Sequence, residues 1–214
     1  MLLSTAFLPP LSWFAAAAKD FTLSPDRVFP SVVRLEACEH FVKQSYRNRC
    51  RILTANGVEN LQVPVVHGDG LYRLPVTQVR VDYTTPWIPK MERALASAYE
   101  SAAYFDDYRD GLFGILESMP ETLWELDLRL IRFLLERMHL SVDLQPTASY
   151  EPSAEEDYRS AIHPKKPDSV LHDLALEKPY FQVFAGKYGF QSNLSAVDLL
   201  FNEGPDSILY LKNL

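Results

Sequence analysis

The chain is poor in the features that usually assign a protein at sight. It has two cysteines, Cys38 and Cys50, with no C-x-x-C pairing. That is too few for a disulfide framework and excludes a small disulfide-stapled scaffold. Free thiols in a reducing compartment follow, and the expected location is cytoplasmic. No apolar run reaches the roughly 18 residues of a membrane span, so no membrane insertion is expected. The apolar stretch Leu2 to Phe14, followed by Ala15 to Ala18, imitates a signal peptide. No Lys or Arg precedes it, and Pro9-Pro10 would break a helical core within it. Neither G-x-x-x-x-G-K-[ST] nor G-x-G-x-x-G nor G-x-S-x-G occurs. The histidines 40, 67, 139, 163 and 172 show no metal-ligand spacing, so the reading includes neither a metal nor a cofactor. Positive charge is also in deficit: the formal charge is -7 and the pI near 5.2, which argues against nucleic acid as a partner.

What is present is a 214-residue chain with 47% hydrophobic residues, enough for one sizeable core. Against the acidic background one short stretch is basic. Lys43, Arg47, Arg49 and Arg51 fall within nine residues. Lys43, Arg47 and Arg51 are four apart and share a face on a helix or on a strand; on a strand Ser45 and Arg49 join them. Arginine forks suit phosphate or carboxylate. An anion site is one reading, and a salt-bridged surface face is the other. Glu39, just ahead of the run, would orient a cation, serve as a base or form a plain ion pair.

The pattern predicts an α/β fold. Leu2–Leu8 reads as a buried strand stopped by proline, with Ser12 capping a helix from Trp13 to Lys19. Such a strand–loop–helix opens Rossmann-like folds, which bind ligands at the carboxyl ends of their strands. Val28 to Cys38 reads as a strand interrupted at Pro30. Arg51–Thr54 and Glu59–Val66 form a hairpin about Asn56-Gly57 and extend the sheet. Val76–Tyr83 alternates as a further strand. Helical stripes follow from Trp87 to Glu117, then from a capping box at Ser118-x-x-Glu121 through Met138. Val142–Leu144 reads as one more strand. Residues 145–179, with five prolines, make a long polar connection. Within it lie Asp157-Tyr158-Arg159 and His163-Pro164-Lys165-Lys166. Ser195 reads as the N-cap of a final helix that Gly204-Pro205 ends. The expected architecture is a single domain, residues 1–214, with a central mixed sheet covered by helices.

Three blocks carry a family resemblance. They are Leu8-Pro9-Pro10-Leu11-Ser12-Trp13-Phe14, then Lys43 through Ile52 with Asn56-Gly57, and Gly189 through Pro205. In this order they resemble the WbqC-like family. The resemblance implies a context in bacterial surface-polysaccharide (O-antigen-type) biosynthesis without naming a reaction. It implies an acidic residue before the basic run, which Glu39 supplies, and an Arg with a His-Pro-Lys in the long connection. Family members commonly carry a histidine in the first loop, where this chain has Ser4-Thr5-Ala6. The candidate catalytic residues are therefore Glu39 and His163. Candidate ligand contacts are Lys43, Ser45, Arg47, Asn48, Arg49 and Lys165. The expected function is a transferase-like enzyme holding a phosphorylated or nucleotide-linked small molecule, or else a non-catalytic accessory module of the same pathway.

Overall fold

The computed structural model describes residues 1–19 and 30–211. The α/β class holds, but the strands fall into two sheets. The first is parallel. β1 is Leu2–Leu3, and after it α1 (Leu11–Ala17) runs through the core with every residue buried. β2 (Ser31–Leu35) pairs with β1, Leu3 opposite Leu35. The sequence expectation for Val28 and Phe29 lies outside the described residues.

β3 (Arg49–Thr54) and β4 (Gly57–Gln62) form the expected hairpin, Thr54 opposite Gly57. The turn residues are Ala55 and Asn56, one earlier than read, and Gly57 takes a φ of 103° that a side chain would strain. This hairpin is a separate two-stranded sheet and does not extend the parallel one. The alternation in Val76–Tyr83 belongs to a 3-10 turn (Val76–Gln78) and two isolated bridges, Val65 with Val81 and Arg80 with Thr122, not to a strand.

Three amphipathic helices follow: α2 (Trp87–Tyr99), α3 (Phe105–Glu117) and α4 (Leu123–Arg137). The cap of α4 is Thr122, whose Oγ1 accepts from the Glu125 N–H at 3.2 Å. Ser118 instead ends α3 and donates its hydroxyl to the Ile115 carbonyl. β5 (Val142–Pro146) then pairs parallel with β2, Leu35 opposite Pro146, giving the order β1-β2-β5.

The long connection contains the short helix α5 (Val170–Asp173) and is fastened to the sheet. Asp157 forms a parallel bridge with Leu2 on the free side of β1, through Leu2 N–H to the Glu156 carbonyl and Tyr158 N–H to the Leu2 carbonyl. The order of parallel segments thus turns back at β1. The chain closes with α6 (Ala185–Tyr188), α7 (Ala196–Glu203) and α8 (Ser207–Leu211).

One hydrophobic cluster joins these parts, among them Phe14, Leu35, Ile52, Leu130 and Phe201. The three sequence blocks interlock at its edge. Ser195 N–H donates to the Arg51 carbonyl, Ala196 N–H to the Pro9 carbonyl, and Ser195 Oγ to the Leu8 carbonyl. Ser195 is therefore a buried strut whose hydroxyl caps nothing. Ser12 is no cap either. It sits inside α1 and donates its hydroxyl to Asp168, while Asn193 Oδ1 accepts its N–H.

Candidate functional site

The carboxyl ends of the parallel segments converge. Ser4 follows β1, Glu36 through Val42 follow β2, Thr147 through Tyr150 follow β5, and Arg159 follows the Asp157 bridge. A cleft of about 770 Å³ opens there, lined by Glu39, Arg47, Asp157, Arg159, His40 and Tyr150 among others. Open α/β sheets place ligands at this edge where the strand order turns back.

Its inner wall is an ion pair. Residues 39–45 are neither helix nor strand. A turn at Gln44, with φ of 60°, leads into a 3-10 turn over Tyr46–Asn48. The even spacing of the cations therefore gives no common face. Arg47 points inward. Its Nη2 lies 2.5 Å from Glu39 Oε2, and its Nε donates to Glu39 Oε1 at 3.0 Å. Ser4 Oγ bridges the two, accepting from Arg47 Nη2 at 3.0 Å and donating to Glu39 Oε2 at 3.1 Å. Arg47 and Glu39 are both buried, so the fork fixes the Glu39 carboxylate in one orientation. Behind them Asp127 of α4 is fully buried and both its oxygens lack a hydrogen bond. Burial pushes its carboxyl well above the usual range, opposed by the nearby Thr5 hydroxyl and the Arg47 charge.

The opposite wall is a second set of charges. Arg159 grips Asp157 through Nε to Oδ1 at 2.9 Å and Nη2 to Oδ2 at 2.5 Å. Its Nη1 donates to Glu36 Oε2 at 3.3 Å. Glu36 is fully buried and also accepts from Thr147 Oγ1, the Cys38 N–H and the Glu151 N–H. The Arg159 guanidinium, hydrogen-bonded to it, holds the Asp157 carboxyl below the usual range, and Asp157 in turn raises the Arg159 pKa further. The Arg159 guanidinium lies 5.4 Å from the centre of the exposed Tyr150 ring at the rim.

The other expected contacts divide. Ser45 is buried and structural: its Oγ donates to the Val42 carbonyl and accepts the Arg47 N–H. Asn48 is buried and ties its Nδ2 to the Val63 carbonyl. Arg49 reaches Gln62 across the hairpin at 3.5 Å. Lys43 is exposed and lies away from the cleft lining. Lys165 is exposed and bonds Gln44 Oε1, stitching the long connection to the basic turn.

His163 lies on the far side of Arg47. With Arg47, Ser4 and Tyr46 it lines a narrow gap between the cleft and a second hollow. Burial lowers its pKa, helped by the charges of Lys166, Arg47 and Lys165. The Lys165 N–H donates to its Nδ1 at 3.2 Å, so the neutral ring carries its proton on Nε2 and presents a donor there. The second hollow, about 330 Å³, is lined by His163, Tyr46, Arg51, Lys166, Asp168 and the loop from Phe190 to Asn193. Among the described residues no three His, Cys, Asp or Glu side chains gather to hold a metal ion. No described helix is long and apolar enough to cross a membrane.

Sequence reasoning singled out Glu39 and Arg47 but not the opposite wall. Glu36 and Arg159 meet across more than a hundred residues, and no spacing signals that. Asp157-Tyr158-Arg159, acid and base two apart in an otherwise irregular stretch, was the available hint.

The WbqC-like protein family matches residues 31–166, more than half of the chain, and the protein belongs to that family. The matched region holds both walls of the cleft and His163; it leaves out β1 and the loop from Phe190 to Asn193. The chain is also similar to the "Uncharacterized protein Rv1507c" of Mycobacterium tuberculosis, 27% identical over 195 residues, spanning 80% of this chain and 84% of that protein. No solved structure matches it.

Proposed function

We propose that this WbqC-like protein is a transferase-like enzyme of bacterial surface-polysaccharide assembly, whose cleft takes the sugar portion of a phosphorylated or nucleotide-linked donor. The observation that carries this reading is the placement of Glu39. It is held by the Arg47 fork and Ser4 at the carboxyl edge of the parallel sheet, in the wall of a ligand-sized cleft. The paired charges of the cleft, Arg47 with Glu39 and Arg159 with Asp157, suit hydroxyl groups, because fixed forks donate and fixed carboxylates accept. The Tyr150 ring offers a flat apolar face at the rim. Glu39 then acts as the acid/base group on a hydroxyl of the acceptor, and Arg47 and Ser4 position it. His163 contributes its Nε2–H as a hydrogen-bond donor rather than as a base, since the Lys165 N–H occupies its Nδ1.

A binding module without catalysis is the second reading. It is favoured by one observation: both Glu39 oxygens already accept hydrogen bonds. Incubation with nucleotide-sugars, followed by 31P NMR, separates the two. The enzyme reading expects a bound donor to be consumed by the wild type, with transfer to water or an added glycan, and the rate to fall by about 100-fold or more in Glu39→Gln while binding persists. A donor that binds both proteins and is consumed by neither removes the enzyme reading.

A further inference from the structure

The second hollow has a different electrostatic character from the cleft. Arg51 leaves β3 into it, and Lys166 enters from the long connection. Among the described residues neither has a carboxylate within ion-pair distance. The Tyr46 hydroxyl lies beside Arg51, whose charge and hydrogen bond partly offset the upward push of burial on that phenol. One acid, Asp168, does line the hollow; neutral donors hold it in place and its charge offsets one of the two cations. Asp168 Oδ2 accepts from Ser12 Oγ at 2.6 Å and from Asn193 Nδ2 at 2.8 Å, and Oδ1 accepts from the Val170 N–H at 3.1 Å. The positive field reaches His163, where Lys166, Arg47 and Lys165 all act to hold the ring neutral. The hollow is thus a positive pocket in an acidic protein.

Its far wall is built to stay in place. Gly189, with φ of 71°, ends α6, and Asn193, with φ of 53°, turns the chain back. Between them Gln191 is clamped by Gln182, which accepts the Gln191 N–H and donates to the Gln191 carbonyl, both at 2.9 Å. Gln182 is itself buried and donates to Asp198 Oδ2 at 2.8 Å. Asp198, on α7, also accepts the hydroxyls of Tyr99 at 2.9 Å and Tyr180 at 2.6 Å. A buried carboxylate with three donors thus fixes Gln182, and Gln182 fixes the loop. No ordering of that wall is left to be done when a ligand arrives.

We propose that this hollow is a phosphate subsite: Arg51 and Lys166 hold a phosphate or diphosphate group of a small molecule, with the His163 Nε2–H as a further donor. Cations without a carboxylate partner lose little when an anion replaces their water, and a guanidinium with an ammonium outweighs the single Asp168 charge in the same hollow. A volume of about 330 Å³ admits such a group. The gap lined by Tyr46, Arg47 and His163 lies between hollow and cleft but holds only about 10 Å³, so a donor with its phosphate on Arg51 and its sugar beside Glu39 requires these side chains to part. That last step rests on the proposed function; the subsite itself does not.

The test is calorimetric titration of inorganic pyrophosphate, and separately of uridine diphosphate, into the wild type, Lys166→Gln, Arg51→Gln, the double variant and Lys43→Gln. Pyrophosphate is expected to bind the wild type, more weakly as salt rises. Each cation variant is expected to weaken it about tenfold or more, and Lys43→Gln, at an exposed cation outside both cavities, to leave it unchanged. Lys166 is exposed, so its variant leaves folding intact; if Arg51→Gln melts early, Arg51→Lys takes its place. No binding to the wild type, or undiminished binding to the double variant, overturns the subsite. Pyrophosphate binding together with no consumption of any donor supports the subsite and removes the enzyme reading, so the two fail separately.

Discussion

The cleft and the hollow are both lined by arginine, yet they use it in opposite ways. In the cleft Arg47 and Arg159 are bonded to Glu39, Asp157 and Glu36, and the charges cancel at close range. In the hollow Arg51 and Lys166 face a polar cavity whose one acid, Asp168, is bonded to Ser12, Asn193 and the Val170 N–H and to neither cation. A buried cation with a carboxylate partner is a structural part whose removal strands the partner. An exposed cation without one is worth little to the fold and is available to a ligand. Charge content alone does not separate the two; pairing does.

The sharpest way to break this contrast is to delete a cleft cation. Arg159→Ala leaves fully buried Glu36 without its counter-charge, and Arg47→Ala does the same to Glu39. Each is expected to cost about 3–5 kcal/mol in urea unfolding. A loss under 1 kcal/mol in both would mean that the pairs are surface features after all. It also follows that Arg47→Ala confounds folding with binding, and that Arg47→Lys is the better probe of the cleft.

Next in size is the strut behind the hollow. Burial raises the Asp198 carboxyl to about 6, from a model-peptide value of 3.8, against the opposing bonds from Tyr180, Gln182 and Tyr99. The native state therefore binds a proton more readily than the unfolded chain between about pH 4 and pH 6. Stability from this group is greatest below that window and falls as pH rises through it, by roughly 3 kcal/mol in total. Chemical denaturation at pH 4.5 and 6.5 is expected to show this slope in the wild type and not in Asp198→Asn, after subtraction of the common background. An equal slope in both proteins would show that Asp198 is not held as described.

The smallest effect on folding belongs to the hollow. Lys166→Gln is expected to change stability by less than about 0.5 kcal/mol while weakening anion binding tenfold. Lys43→Gln, at an exposed cation outside both cavities, is expected to change neither. If Lys43 and Lys166 behave alike, the hollow has no special claim on its cations.

Much of this was legible in the sequence, and the limits have physical causes. The β3–β4 hairpin was readable because Asn56-Gly57 signals a reversal between alternating stretches, although the turn itself is Ala55-Asn56 with Gly57 as the first residue of β4. The α2–α4 stripes were readable because each helix buries one face. The convergence of Lys43, Arg47 and Arg51 was not, because the face-sharing rule needs a regular element and residues 39–48 form a turn and a 3-10 turn. Val76–Tyr83 alternates like a strand, yet its apolar residues are buried by a 3-10 turn and isolated bridges. The role of the long connection was hidden for another reason. A single parallel bridge, Leu2 with Asp157, has no periodicity to detect, but it delivers Arg159 to the cleft. Within the site, Glu39 and Arg47 lie close in sequence and could be found together; Glu36 with Arg159, and Arg51 with Lys166, meet only through the fold.

The most direct test of the account is a thermal shift of the wild type, Glu39→Gln and the Arg51→Gln/Lys166→Gln double variant against nucleotides, nucleotide-sugars, sugar phosphates and acyl-CoA. A ligand at 100 times its dissociation constant stabilises by about 2.7 kcal/mol, which a melting curve resolves. The account predicts that a nucleotide-sugar or sugar phosphate raises the wild-type melting temperature, still raises that of Glu39→Gln, and leaves the double variant unmoved. A flat response across the panel, or an equal response in all three proteins, would contradict it.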